Sequence, residues 1–177
     1  MICVPKNLPS KYSAIFIYAT GTVTTKQLIK SMRLNDTQHT RKLVNDCIMY
    51  LLDQGILSGK KICQNKYELY RPEMDLKTGA YYSVDYDDIN AIMDIKDKCN
   101  RLDLVDYYLV LTSTINYHTR VGFTSIATLS GMCGLTPATV NKYNKILVKN
   151  KIIYIKPSRR QGVTNRYGRY VDRLTDM

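Results

Sequence analysis

The groups in this 177-residue chain that could do covalent or metal chemistry are five cysteines, two histidines, fifteen tyrosines and one tight set of aspartates. Cys3, Cys47, Cys63, Cys99 and Cys133 are odd in number, scattered, and form no CxxC pair. That spacing argues against both a disulfide framework and a zinc site, and the five read as buried free thiols. His39 and His118 lie too far apart, and are too few, for a histidine-based metal centre. The tyrosines could act as nucleophiles, but they fall mostly at core or aromatic-strand positions, and no histidine cluster accompanies them. Asp85, Asp87 and Asp88 lack the partner acid and turn glycine of a calcium loop, and read as a helix N-terminal cluster favoured by the macrodipole. The expectation is a chain without catalytic residues, metal or cofactor.

The strongest chemical signal is charge. Twenty-six Lys and Arg against 15 Asp and Glu leave a net +11, which points to a polyanionic partner, nucleic acid before an acidic membrane surface. Residues 1–72 hold 11 cations and 4 acids, residues 73–119 hold 4 and 9, and residues 120–177 hold 11 and 2. Two basic ends flank an acidic middle, as expected of two binding modules joined by a segment turned away from the polyanion. No run approaches the ~20 apolar residues that span a bilayer, and the apolar stretch 15–19 is too short for a secretory core. A cytoplasmic protein without membrane attachment is expected.

The elements that must place these charges are clearest after residue 102. Leu104, Val105, Tyr108, Leu109, Leu111 and Thr112 predict a one-faced scaffold helix. Thr124 reads as N-cap of a short helix over 125–130, and Gly131 and Gly134 bracket a tight turn. Thr136 as N-cap and Pro137 at N1 then open a second helix over 137–150. Its apolar side is Val140, Tyr143, Ile146 and Leu147; its other side is Ala138, Thr139, Asn141, Lys142, Lys145 and Lys149. Small polar groups near the start and lysines further along suit an element that enters a DNA major groove, amides meeting adenine edges and lysines meeting guanine edges or phosphates. An apolar strand at 151–155 leads into a basic hairpin with Lys156, Ser158, Arg159, Arg160, Thr164, Asn165, Arg166 and Arg169.

The run from Ile126 through Gly134, Leu135, Thr136, Thr139 and Val140, followed by Ile146-Leu147, a hydrophobic strand and Thr164-Asn165-Arg166-Tyr167, resembles the winged helix-turn-helix domains of plasmid and phage replication initiators. It is also similar to domains of bacterial transcriptional regulators. Asn150-Lys151 stands where such domains often carry a glycine, and Asn150 is expected to take the left-handed conformation there.

A second, less regular copy precedes it. Residues 12–19 fit a buried helix or a strand, and a winged unit calls for the helix. Thr24 or Thr25 caps a short helix, Asn35-Asp36-Thr37 opens a longer one with Leu43, Val44, Cys47, Ile48, Leu51 and Leu52 inward, and Gly55 ends it. Gln38, His39, Thr40, Arg41 and Lys42 lie early on that helix. Residues 58–61 read as the turn of a smaller wing presenting Lys60, Lys61 and Lys66. The middle segment reads as a connector at 71–80, a short strand at 81–86, and a linking helix over 88–100.

The expected fold is thus mainly α with small β-hairpin wings, an α+β chain of two winged helix-turn-helix units in tandem. Its divisions are 1–72, an acidic linker at 73–101, and 102–177. The resemblance implies sequence-specific binding of double-stranded DNA, in replication initiation or in transcriptional control. A protein-interaction adaptor is the reading of another class, and the first unit could pack against a partner chain as a homodimer.

Overall fold

The computed structural model describes residues 2–6, 8–72, 81–116, 118–156 and 164–169. Within them the chain is α+β, with seven helices and two small three-stranded antiparallel sheets, consistent with a winged-helix-like fold. It divides into two compact units, Ile2–Tyr81 and the chain from Tyr82 onward. No helix among the described residues is long and apolar enough to cross a membrane.

The first unit runs β1 (Ile2–Pro5), α1 (Tyr12–Tyr18), β2 (Gly21–Thr24), α2 (Thr25–Ser31), α3 (Gln38–Asp53), β3 (Ser58–Cys63) and β4 (Lys66–Tyr70). The run at 12–19 is helical because its apolar residues are buried on every side: Ala14, Ile15, Phe16 and Ile17 are wholly inaccessible. The Arg71 guanidinium satisfies carbonyls at the end of this helix, donating to Phe16 O (3.3 Å) and to Ile17 O. Thr24 and Gln27 form a reciprocal capping box at α2, and the Thr37 hydroxyl accepts from Thr40 N–H at the start of α3. Gly55, at φ 65°, ends α3.

The expected wing turn at 58–61 lies elsewhere. Those residues are paired strand, and the turn is Gln64-Asn65, with Asn65 in the left-handed region at φ 60°. Gly59 marks a close approach: a Cβ there would stand 2.0 Å from Glu68 O. Asn45 joins the unit's parts, accepting from Thr25 Oγ1 (2.6 Å) and Tyr67 OH (3.0 Å) while donating to Asn65 Oδ1 (2.9 Å).

After β5 (Tyr81–Val84), which begins at the last residue of the first unit, the second unit holds α4 (Tyr86–Met93), α5 (Arg101–Ser113), β6 (Gly122–Thr124), α6 (Ile126–Cys133), α7 (Pro137–Lys149), β7 (Ile153–Lys156) and β8 (Asn165–Arg169). Residues 82–101, expected as linker, belong to its body: Ile89, Ile92 and Met93 are fully buried and α4 packs on α5. The helix stops at Met93 rather than near residue 100, its last carbonyl taken by Arg101 Nη1 at 2.9 Å. Nor is α5 one-faced. Leu102, Leu104, Val105, Tyr107, Tyr108, Leu109 and Leu111 are all buried, because α4, α6 and α7 pack around it.

Ser125, not Thr124, caps α6, its hydroxyl accepting from Thr128 N–H at 3.0 Å; Thr124 is paired strand. Gly131 lies inside α6, and Gly134 alone of the two takes the left-handed turn, at φ 63°. Thr136 and Pro137 open α7 as expected. At its other end Asn150 keeps a negative φ, and Lys151 carries the left-handed residue at φ 57°. Asn150 instead turns its amide back onto Ile146 O at 2.8 Å.

In both sheets the last strand in sequence lies in the middle: β2-β4-β3 and β6-β8-β7. Inside the second unit the Tyr107 hydroxyl donates to Asn144 Oδ1 at 2.6 Å, both residues buried, which fixes the rotation of α7 against α5. Asn144→Leu should lower stability by about 1–3 kcal/mol, because the hydroxyl is left dry and unpartnered. Adding Tyr107→Phe should recover most of that loss in urea denaturation.

The five thiols are not uniformly buried. Cys47 is, Cys3, Cys99 and Cys133 are half-buried, and Cys63 is exposed. Burial, reinforced by the neighbouring Asp46, pushes the Cys47 thiol up to about 12. Alkylation near pH ~8 should modify Cys63 first and Cys47 only on unfolding, with mass-mapped peptides as the readout.

Candidate nucleic-acid interface

The second unit presents α7 with one side on the core and the other in solvent. Val140, Tyr143, Asn144, Ile146 and Leu147 are buried; Ala138, Asn141, Lys142, Lys145 and Lys149 are exposed, Thr136 is the exposed N-cap, and Thr139 is half-buried with its hydroxyl on that of Thr136 at 2.9 Å. The preceding turn is tied down by Leu135, whose N–H donates to Ser130 O at 3.2 Å and whose carbonyl accepts from the Ser130 hydroxyl. Along the exposed side runs an open groove of about 450 Å³, to which Asp97 and Lys98 contribute from the segment before α5. Four lysines, Lys98, Lys142, Lys145 and Lys149, thus face one carboxylate.

That carboxylate engages the far end of the helix. Asp97 accepts from Lys149 Nζ at 2.5 Å and from Asn150 Nδ2 at 3.0 Å. These two hydrogen bonds, Lys149 first, hold its carboxyl below the usual range. Lys149 is therefore already paired within the groove.

On the adjoining sheet Lys156 and Arg166 are exposed and directly opposite one another across β7 and β8, while Thr164 and Asn165 are half-buried. Ser158, Arg159 and Arg160 lie outside the described residues. Arg169 departs from expectation. It points to the body of the unit, pairing with Asp85 and with Asp88 (2.7 Å), and its side chain is largely buried. Burial opposes its charge, but Asp88, Tyr108 and Asp85 outweigh burial and raise its pKa. It is a structural cation.

In the first unit Gln38, His39, Thr40, Arg41 and Lys42 lie together on the first turns of α3, Thr40 half-buried and the others exposed. Arg41 is clamped by Asp36 through two hydrogen bonds of 2.6 and 2.8 Å. Lys60 and Lys61 are exposed on β3, with Lys60 3.7 Å from Glu68. Among the described residues no group of three His, Cys, Asp or Glu side chains is placed to hold a metal ion.

No protein-family model matches the chain, and no curated protein matches it in sequence. Three solved structures are similar at 11% identity. One is described as the N-terminal domain of a DNA-binding protein, with TM-score 0.39 over 60% of this chain and 95% of that one. ScpB from Mycobacterium tuberculosis gives 0.28 over 94% and 98%. The DIP2311 protein from Corynebacterium diphtheriae gives 0.26 over 90% of this chain and 26% of its own. Likenesses this distant assign neither a fold nor a partner.

Sequence reasoning missed Lys98 and Asp97, which reach α7 only through the fold and carry no local signal. Asn144 had one: an amide interrupting an apolar stripe. Arg169→Met should cost on the order of 3 kcal/mol in urea denaturation, because Asp88 would be left buried without its cation. Asp88→Asn in the same chain should restore part of it.

Proposed function

We propose that this chain binds double-stranded DNA through two winged helix-turn-helix units in tandem, with α7 as the recognition helix of the second. The observation that carries the reading is the exposed side of α7. Its small residue Ala138 comes first, then the amide Asn141, then Lys142 and Lys145 over a groove that also holds Lys98. Asn141 offers both a donor and an acceptor to an adenine edge, and the lysines reach guanine edges or phosphates. Lys156 and Arg166, together with Arg159 and Arg160, supply flanking phosphate contacts.

The tandem arrangement is supported by the shared succession of helix, strand, two helices and two strands, and by the shared strand order. On α3 the corresponding surface is Gln38, His39 and Lys42. Two such units in one polypeptide grip repeated sites over more than one turn, which favours a replication-initiator role in the cytoplasm over a regulator dimerising a single unit. Binding here needs no catalysis, and magnesium-dependent nicking of supercoiled DNA would overturn that part.

Selection from a random duplex pool tests the whole. Two spaced motifs in direct repeat support an initiator; one palindrome supports a repressor. At the level of residues, Lys142→Ala should weaken binding to all duplexes and reduce the salt slope by about one unit, whereas Asn141→Ala should mainly relax base preference. Equal losses on selected and random duplex for Asn141→Ala would remove α7 from the reading role.

A further inference from the structure

The outer face of the β6-β8-β7 sheet carries, beside the cations Lys156 and Arg166, aromatic rings that duplex reading does not use. Residues paired across neighbouring strands share a face. Phe123 pairs with Arg166, Arg166 with Lys156, and Gly168 with Tyr154. These five residues therefore lie on one face, which carries the side chains of Phe123, Tyr154, Lys156 and Arg166, and the alternate residues Gly122, Thr124, Ile153 and Tyr167 are buried on the other.

Phe123 is 60% exposed, more than any other large hydrophobic residue described. The Arg166 guanidinium stands 5.5 Å from its ring centroid, and Lys156 Nζ stands 5.8 Å from that of Tyr154. The Tyr154 ring lies against Gly168, where a Cβ would come within 2.4 Å of it. Glycine at 168 is thus what lets an aromatic ring lie close on the strand. The result is two aromatic rings, each with a cation over it, on the two edge strands of one sheet.

At the same topological place the first unit has the row Thr22, Glu68 and Lys60, with Lys60 and Glu68 paired to each other, and the exposed ring on that face, Tyr70, donates its hydroxyl to Glu68 rather than lying under a cation.

We infer that this face binds single-stranded nucleic acid, stacking unpaired bases on Phe123 and on the Arg166 plane while Lys156 and Arg166 meet the phosphates. An exposed ring interleaved with cations suits a strand whose base faces are open, because stacking needs a π-face and the backbone needs positive charge. In an intact duplex those base faces are covered and the ring would find only groove edges. Phe123 lies off the exposed side of α7, and although Lys156 and Arg166 are shared with the phosphate contacts proposed for duplex, the ring is what separates the two modes of binding.

The test is fluorescence anisotropy of the full chain with labelled oligothymidylate of about 12 nucleotides at ~50 mM salt. The wild type should bind, Phe123→Ala should bind about tenfold or more weakly, and Phe123→Trp should retain affinity. Duplex affinity and melting temperature should be unchanged in Phe123→Ala, since the ring is solvent-facing. Arg166→Ala should weaken the oligothymidylate complex and flatten its salt dependence. Equal binding of wild type and Phe123→Ala, or duplex binding with no oligothymidylate binding, overturns the inference. So does wild-type self-association in sedimentation velocity that Phe123→Ala abolishes, which would give the face to a second copy. Loss of duplex binding in Lys142→Ala with oligothymidylate binding intact separates this face from α7.

Discussion

A carboxylate removed from water must find partners, and in the second unit Asp88 is that group. Burial raises its pKa, and it is kept in place by the Tyr108 hydroxyl at 2.5 Å and by Arg169 at 2.7 Å. Three elements meet at this one side chain: α4 carries it, α5 supplies the tyrosine, and β8 supplies the arginine. Since β8 is the central strand of its sheet, the whole sheet, and with it Phe123, Lys156 and Arg166, is referenced to the helical core through Asp88. The acidic segment that looks like a spacer in the sequence is thereby a support for the basic surface.

A second polar contact does the same for α7. The Tyr107–Asn144 hydrogen bond sets the helix rotation, and that rotation decides which residues are presented to solvent. Apolar packing alone would tolerate small turns about the helix axis; a buried hydroxyl that must meet one amide does not. In the first unit Asn45 performs a related task, joining α2, α3 and the hairpin turn. Each unit therefore combines an apolar interior with one amide that defines how its longer helix lies.

Features written in local sequence were legible. Thr136-Pro137 opens α7, the run Asn35-Asp36-Thr37 leads into α3, Gly55 closes it, and the apolar stripe of α7 predicts its exposed side, all because caps and periodicity act over a few residues. Features created by chain crossings were not. Arg169 looks like any wing cation until Asp85 and Asp88 arrive from more than 80 positions earlier. Thr124 and Ser125 are both of residue types that cap helices, and the structure gives the role to Ser125, with Thr124 paired in β6. Gly59 looks like a turn residue because glycine serves both turns and close backbone approach, and sequence alone does not distinguish them. The all-round burial of α5 likewise depends on how many neighbours surround it, which periodicity does not report.

Asp97 bears on time rather than on affinity alone. A protein that locates one site among many non-specific ones spends most of its life on the wrong DNA, held there by phosphate neutralisation that ignores sequence. Because Asp97 already occupies Lys149 and Asn150 at the end of α7, one cation of the groove is withheld from that indiscriminate attraction. Under the duplex-reading proposal, the carboxylate shortens each unproductive stay while leaving Asn141, Lys142 and Lys145 to act where base edges fit. A single acid in a basic groove then serves as a brake on dwell time, quickening the search at some expense in grip.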